Sequence, residues 1–366
     1  MFSQSVGELL MSVVEMDASD LHLIVGCPPI VRRFGELVPL EMAKVSADDA
    51  RSLLAPMFTA EQSEMLERNR QIDFACDFLG VARFRVHVSY ERDRLNAEFR
   101  VIPFQPPRLE DLLLPPVVAE VATRPHGLVL VTGPTGAGKS TTLAGIVEYL
   151  NRTRSLRIVT IEEPIEFVHE SAKAYITQRE IGKDCKTYAD AIRATLRQDP
   201  DVILIGEMRD LESIALSLGA AETGHLVLAT LHTLSASDSV NRIVDVFPFE
   251  QQDQVRVQLA SVIEAVFSQA LVMRADGSGR VCAMEVLLGT PAVRAMIREN
   301  NTAQLAELLQ TGTPEGIQSL DRHLAQLVQS GTVAMETAML KATHADELQR
   351  MLGAVPLGER RSAITR

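Results

Sequence analysis

Apolar positions recur with two periods along this chain, and the order in which those periods alternate divides it. Val6, Leu9, Leu10, Val13 and Val14 fall at helical spacing, which predicts an amphipathic helix over residues 3–16. Residues 21–25 and 30–34 read as short strands, separated by Gly26 and Pro28-Pro29 and closed by a turn at Gly35-Glu36. Helices are predicted over 46–57 and 60–69, with Ser46 and Thr59 as N-caps. Three alternating strands follow, at 72–78, 83–90 and 97–102. Strands in a run, with no helices between them, predict an α+β region built on an antiparallel sheet. Pro103, Pro106, Pro107, Pro115 and Pro116 then cluster. Proline stiffens the chain and cannot donate to a sheet, so a hinge linker is predicted over 106–118, after a first domain of 1–105.

From residue 127 strands and helices alternate. Strands are predicted at 127–132, 157–161, 174–178, 201–206 and 225–231, and helices at 139–151, 187–198, 210–222 and 235–245. That order predicts an α/β domain, 119–289, on a mostly parallel sheet. Helical spacing then dominates, at 291–299, 302–310, 317–329, 334–341 and 344–353, which predicts a helical subdomain over 290–356. The tail, 357–366, carries Arg360, Arg361 and Arg366 with few apolar residues and is predicted to be disordered.

Ligands of parallel sheets bind outside the carboxyl ends of the strands, so the residues there carry the candidate chemistry. The apolar run Leu128 to Val131 ends in Gly133-Pro134-Thr135-Gly136-Ala137-Gly138-Lys139-Ser140-Thr141, and a helical pattern leaves it. Strand, glycine-rich loop and helix in that order form a phosphate cradle for ATP. Backbone N–H groups of the loop turn towards the phosphates, Lys139 reaches the β- and γ-phosphates, and the Ser140 hydroxyl is a ligand for Mg²⁺. The predicted strand 201–206 ends in Glu207, a second candidate for the metal shell. Many P-loop enzymes carry an aspartate one position earlier, where this chain has Gly206. Glu162 and Glu163 follow the strand 157–161 and are candidates for activating water. The residue types do not decide which acid is the base and which serves the metal. His232 follows the strand 225–231 and is placed to sense the γ-phosphate by a hydrogen bond. His225, at the other end of that strand, is harder to bring to the nucleotide on this logic.

Composition narrows the alternatives. In 366 residues, 46% are apolar, enough for two or three cores. No apolar run approaches the roughly 18 residues of a membrane span, and the first sixteen residues carry Glu8 and Glu15 with no basic residue. A cytoplasmic protein is predicted. Cys27, Cys76, Cys185 and Cys282 are widely separated, which predicts reduced, mostly buried thiols and no zinc site. The formal net charge of -12 and the absence of tryptophan argue against nucleic acid as a partner. The one basic strip is Arg83, Arg85, Arg92, Arg94 and Arg100. It is a solvated face, or it supplies two guanidinium groups to a nucleotide held elsewhere.

Taken together these motifs are similar to those of the type II/IV secretion ATPases, and within them to the branch that retracts type IV pili. Residues 133–140 resemble Walker A, 160–167 (Thr-Ile-Glu-Glu-Pro-Ile-Glu-Phe) the family's Asp box, 205–210 its Walker B, and Gly224-His225 through His232-Thr233 its His box. Residues 291–299 resemble a C-terminal helix motif of the retraction branch. The resemblance implies an N-terminal PAS-like domain, a RecA-like ATPase domain and a homohexameric ring. It implies docking on a platform protein at the cytoplasmic face of the inner membrane, with pilus retraction driven by ATP. An accessory pilus motor, a type II secretion motor and, further off, a nucleic-acid translocase are the rivals. It implies arginine fingers at Arg85 and Arg100, domain-bridging roles for Arg193 and Arg197, and places for His225 and His232 at the nucleotide. Two positions depart from the family pattern. Glu163 stands where the Asp box has aspartate, which moves its charge by about an ångström, and 91–96 lacks the expected Gln-Arg-Gly.

Overall fold

The structure, a computed structural model, describes residues 5–33, 35–78, 82–102 and 105–353. The predicted disordered tail, 357–366, lies outside them. Contacts divide the chain into two units, one running to Gln105 and including Pro164–Val168, the other starting at Pro106 and resuming at His169.

In the first unit, helix α1 (Val6–Glu15) starts at a capping box formed by Ser5 and Glu8. Strands β1 (Asp20–Leu23), β2 (Ile30–Arg33) and β3 (Glu36–Pro39) come next. Helices α2 (Ala47–Leu54) and α3 (Ala60–Asn69) follow, capped by Ser46 and Thr59 as expected. Strands β4 (Gln71–Phe78), β5 (Ala82–Glu91) and β6 (Arg94–Ile102) complete a six-stranded sheet in the order β3-β2-β1-β6-β5-β4, antiparallel at every pairing. Alternation along β5 buries Phe84, Val86 and Val88 and turns Arg83, Arg85 and His87 to the other face. The core joins these to Phe99 of β6, Leu54 of α2 and Leu9, Leu10 and Val13 of α1. Strand β3 was not expected. Its four residues are all exposed, so no buried apolar face marks it in the sequence.

In the second unit, the expected linker 106–118 is not a free spacer along its length. Leu109–Leu112 form a 3₁₀ turn, and Leu109 is buried with apolar residues of the ATPase-like sheet. Helix α4 (Val117–Ala122) follows, then β7 (Gly127–Thr132), α5 (Lys139–Thr153), β8 (Arg157–Glu162), β9 (Tyr175–Glu180) and α6 (Tyr188–Thr195). Next come β10 (Val202–Ile205), α7 (Leu211–Glu222), β11 (Leu226–Leu231), α8 (Ala236–Asp245) and α9 (Phe249–Val262). Strands β12 (Ile263–Met273) and β13 (Arg280–Leu288) close a seven-stranded sheet in the order β13-β12-β7-β11-β10-β8-β9. Only the β12–β13 pairing is antiparallel. Both faces are covered: Leu128, Ile203 and Val227 pack on one side, Val129, Leu204 and Leu228 on the other.

Five helices end the described chain: α10 (Pro291–Arg298), α11 (Thr302–Thr311), α12 (Leu320–Gln329), α13 (Met335–Met339) and α14 (Ala345–Met351). Buried Asp321 accepts the Thr343 and His344 N–H groups at 2.8 and 2.7 Å, which ties α12 to the start of α14. Of the four cysteines only Cys282 is buried, so the expectation of mostly buried thiols fails for Cys27, Cys76 and Cys185. Among the described residues no helix is long and apolar enough to cross a membrane.

Core and edge of the first unit should respond differently to truncation. Phe99→Ala removes a fully buried ring and is expected to cost about 3–5 kcal/mol. Leu37→Ala, on exposed β3, should stay within about 0.5 kcal/mol of the parent. Chemical denaturation of both variants measures the difference, and equal losses would contradict the core assignment.

Candidate active site

The loop after β7 is shaped by two close approaches. Gly133 has φ 143°, and a Cβ there would lie 2.5 Å from the Gln269 carbonyl oxygen, so the neighbouring strand β12 admits only glycine. Gln269 also donates from Nε2 to the Ala137 carbonyl at 2.7 Å, pinning the loop from below. Gly138, at φ 88°, starts α5 in the left-handed region. The loop presents Pro134, Thr135, Gly136 and Ser140 to solvent, Gly138 and Thr141 partly, while Ala137 and Lys139 are buried. Lys139 Nζ donates to the Gly133 and Pro134 carbonyls at 2.8 and 3.1 Å.

His232 joins this lysine to the acid after β10. Its Nδ1 lies 3.4 Å from Lys139 Nζ and its Nε2 3.2 Å from Glu207 Oε1. The ammonium only donates and a carboxylate only accepts, so the neutral ring that satisfies both carries its proton on Nε2. Arg209 donates to Glu207 at 2.8 Å and approaches Glu163 at 3.7 Å. Lys139, His232, Glu207, Arg209 and Glu163 thus form one chain of alternating partners. Burial pushes the Glu207 carboxyl up, but Arg209 and then His232 outweigh it, and the group stays below its ordinary value. Arg209 is correspondingly held above its own, chiefly by its hydrogen bond to Glu207.

Glu162 is placed differently from Glu163. Its Oε1 accepts from Thr160 Oγ1 at 2.7 Å and from Gln178 Nε2 at 3.2 Å, along β8 and β9. Gly206 is tightly placed: a Cβ there would lie 3.2 Å from both the Ile161 carbonyl and the Tyr188 hydroxyl. Ser140 and Glu207, the expected metal pair, carry hard oxygen donors of the kind Mg²⁺ prefers, and Glu207 is tied to the loop through His232 and Lys139.

His225 does not belong to this cluster. Its Nδ1 donates to the Ala220 carbonyl, 2.9 Å away, before β11 begins. The whole of β11 separates it from His232, roughly 20 Å at strand rise, so it is not at the cradle of its own chain. Arg85 and Arg100 lie in the first unit as direct cross-strand partners on one face of β5 and β6. Arg100 is paired with Asp20 at 2.9 Å and Arg85 with Glu166 at 3.6 Å. Arg193 is paired with Glu212. Gln269 and Tyr188 lie outside the motifs they touch, so spacing does not mark them, and Arg209, within 205–210, gains its partner Glu207 only in the fold.

Residues 115–344 match the model of the type II/IV secretion system protein family. The chain is 45% identical over 337 residues to the type IV pilus retraction ATPase PilT of Pseudomonas aeruginosa, covering 92% of this chain and 98% of that one. It is 44% identical over 322 residues to a twitching motility protein of Neisseria gonorrhoeae, covering 88% and 86%. A crystal structure of the pilus retraction motor PilT with bound ADP superposes with a TM-score of 0.86 at 42% identity, covering 95% of this chain and all of that one.

The charge pattern around Glu207 has a measurable consequence. A carboxyl held below its ordinary value contributes stability above its unfolded pKa, and that contribution is lost as pH falls through the folded value. Arg209→Ala should move the Glu207 titration, followed by carbon-13 NMR of labelled glutamate, up towards the ordinary range and shift acid unfolding to higher pH. An unmoved titration would remove Arg209 from the network.

Proposed function

The chain belongs to the type II/IV secretion system protein family, and from that premise we propose that it is a Mg²⁺-dependent ATPase motor that retracts a type IV pilus. The observation that carries the reading is the His232 bridge between Lys139 and Glu207. It couples the group that grips phosphate to the acid that serves hydrolysis.

In this mechanism the N–H groups of 133–141 and the N-terminus of α5 bind the phosphates of ATP. Lys139 exchanges its carbonyl contacts for the β- and γ-phosphates, and His232 transmits that change to Glu207. Ser140 and Glu207 would hold Mg²⁺, which screens phosphate charge and binds water when present. The carboxylates Glu162, Glu163 and Glu207 orient and deprotonate the attacking water. Arg85 and Arg100 act as arginine fingers in a homohexamer, exchanging Glu166 and Asp20 for the γ-phosphate. His225, remote from its own cradle, serves a nucleotide only across a subunit boundary.

The domain plan is 1–105 as the PAS-like unit, 119–289 as the RecA-like unit and 290–356 as the helical subdomain. The unit boundaries at Gln105–Pro106 and Glu163–Pro164 mean that rotation of one unit pulls on the backbone beside Glu163. The working place is the cytoplasmic face of the inner membrane, on a platform protein. The basic strip gives no support to a nucleic-acid translocase, because Arg83, Arg85 and Arg100 are each paired with an acid.

Lys139→Ala and Glu207→Gln should each lower steady-state phosphate release by about 10²-fold or more. Equal rates in the parent and both variants would defeat the enzyme assignment. Deletion of the gene should leave cells with surplus, unretracted pili. Loss of pili or of secretion would instead assign the motor to assembly or export.

A further inference from the structure

Tyr188 opens α6, and its ring packs against the core on the α7 side of the sheet. Its hydroxyl lies at the carboxyl ends of β8 and β10, 3.2 Å from where a Cβ on Gly206 would stand. The same point is 3.2 Å from the Ile161 carbonyl oxygen and 3.3 Å from Glu162 Cα. The two strands release Glu162-Glu163 and Glu207 at that level. Among the described residues the hydroxyl makes no hydrogen bond, although it stands among three acids. Glu163 is the least constrained of those acids: its side chain is 45% exposed and has one charged neighbour, Arg209, at 3.7 Å.

We propose that Tyr188 is a positioning residue for hydrolysis: its hydroxyl, fixed beside the ends of β8 and β10, is the donor that steers the Glu163 carboxylate over the phosphate cradle. The ring supplies rigidity, since it is wedged into the core, and Gly206 leaves the space the hydroxyl occupies. Burial raises the phenol above its ordinary value, and Glu163 is the next cause, ahead of the opposing Arg209. The group therefore stays protonated and donates at any working pH.

The inference rests on the ATPase reading for its kinetic test and stands apart from it in a spectroscopic one. Tyr188→Phe should lower kcat for ATP about tenfold while KM, and the Kd of a fluorescent ATP analogue, stay within about twofold. In a Glu163→Asp background the same change should have little further effect on kcat, because the shortened acid no longer reaches the hydroxyl. Additive losses would show that the hydroxyl acts independently of Glu163 and overturn the proposal. The chain has 4 tyrosines and no tryptophan, so the Raman Fermi doublet of Tyr188 can be isolated by subtracting the Tyr188→Phe spectrum. With the non-hydrolysable analogue bound, the doublet should report a strong donor in the parent and a weaker one in Glu163→Asp. A doublet indifferent to residue 163 overturns the pairing even if the protein hydrolyses ATP. A responsive doublet in a protein without turnover upholds the pairing and sinks the ATPase reading instead.

Discussion

The site depends on the register of three parallel strands. Thr132, the last residue of β7, lies opposite Leu231 of β11 and Ser268 of β12. The next residue on each strand is therefore at one level, and those residues are Gly133, His232 and Gln269. On the far side of β11, Ile205 of β10 lies opposite both Ala229 and Ile161, which brings Gly206 level with Thr230 and Glu162. A slip of one residue moves a strand by about 3.3 Å and turns its side chains to the other face. Contacts of 3.2 and 3.4 Å about His232 cannot survive such a slip. Burial of the sheet on both faces is what forbids it, because each strand offers apolar side chains to two cores. Buried hydroxyls add a local lock. Thr132 donates to Ser268 at 2.8 Å, and Thr233 meets Ser239 at 2.6 Å, so the residues flanking the cradle and the histidine are held as well.

Elements with a single buried face or a glycine-rich loop were legible in the sequence, and elements defined by their neighbours were not. The P-loop, both antiparallel and parallel textures, and the caps at Ser46 and Thr59 follow from local spacing. Strand β3 left no trace because it is wholly exposed. Residues 246–289 fall within the expected α/β domain with no helix or strand predicted there, yet they form α9 and the β12–β13 hairpin. The run 263–273 is apolar enough for a strand. It is broken by Ser268 and Gln269, whose burial only makes sense once β7 and its loop lie alongside. The 3₁₀ turn at 109–112 was masked by the prolines around it: their density suggests a spacer, while Leu109 makes the segment part of the core.

The same distinction runs through the site residues. Lys139, Glu207 and His232, which the structure brings together, are legible because a strand end is a position that sequence can reveal. His225 sits in the same motif, and only the length of β11 tells the two histidines apart. Glu162 and Glu163 are adjacent, so sequence treats them alike. Their environments separate them, with Thr160 and Gln178 holding one and Arg209 approaching the other.

Local charge balance explains how so many acids share one crevice in a chain with a net charge of -12. Like charges at this spacing raise one another's pKa unless cations intervene. Glu207 is instead lowered, despite burial, because Arg209 and His232 stand on it. The tight space at Gly206 goes with that solution. An aspartate there would meet the Ile161 carbonyl and the Tyr188 hydroxyl, on the crowded side of the strand end. Moving the acid one residue onward releases it from the ladder and brings it to His232, and through the imidazole to Lys139. Glu207 is thereby linked to Lys139 through His232, beside the close packing of β8, β10 and α6.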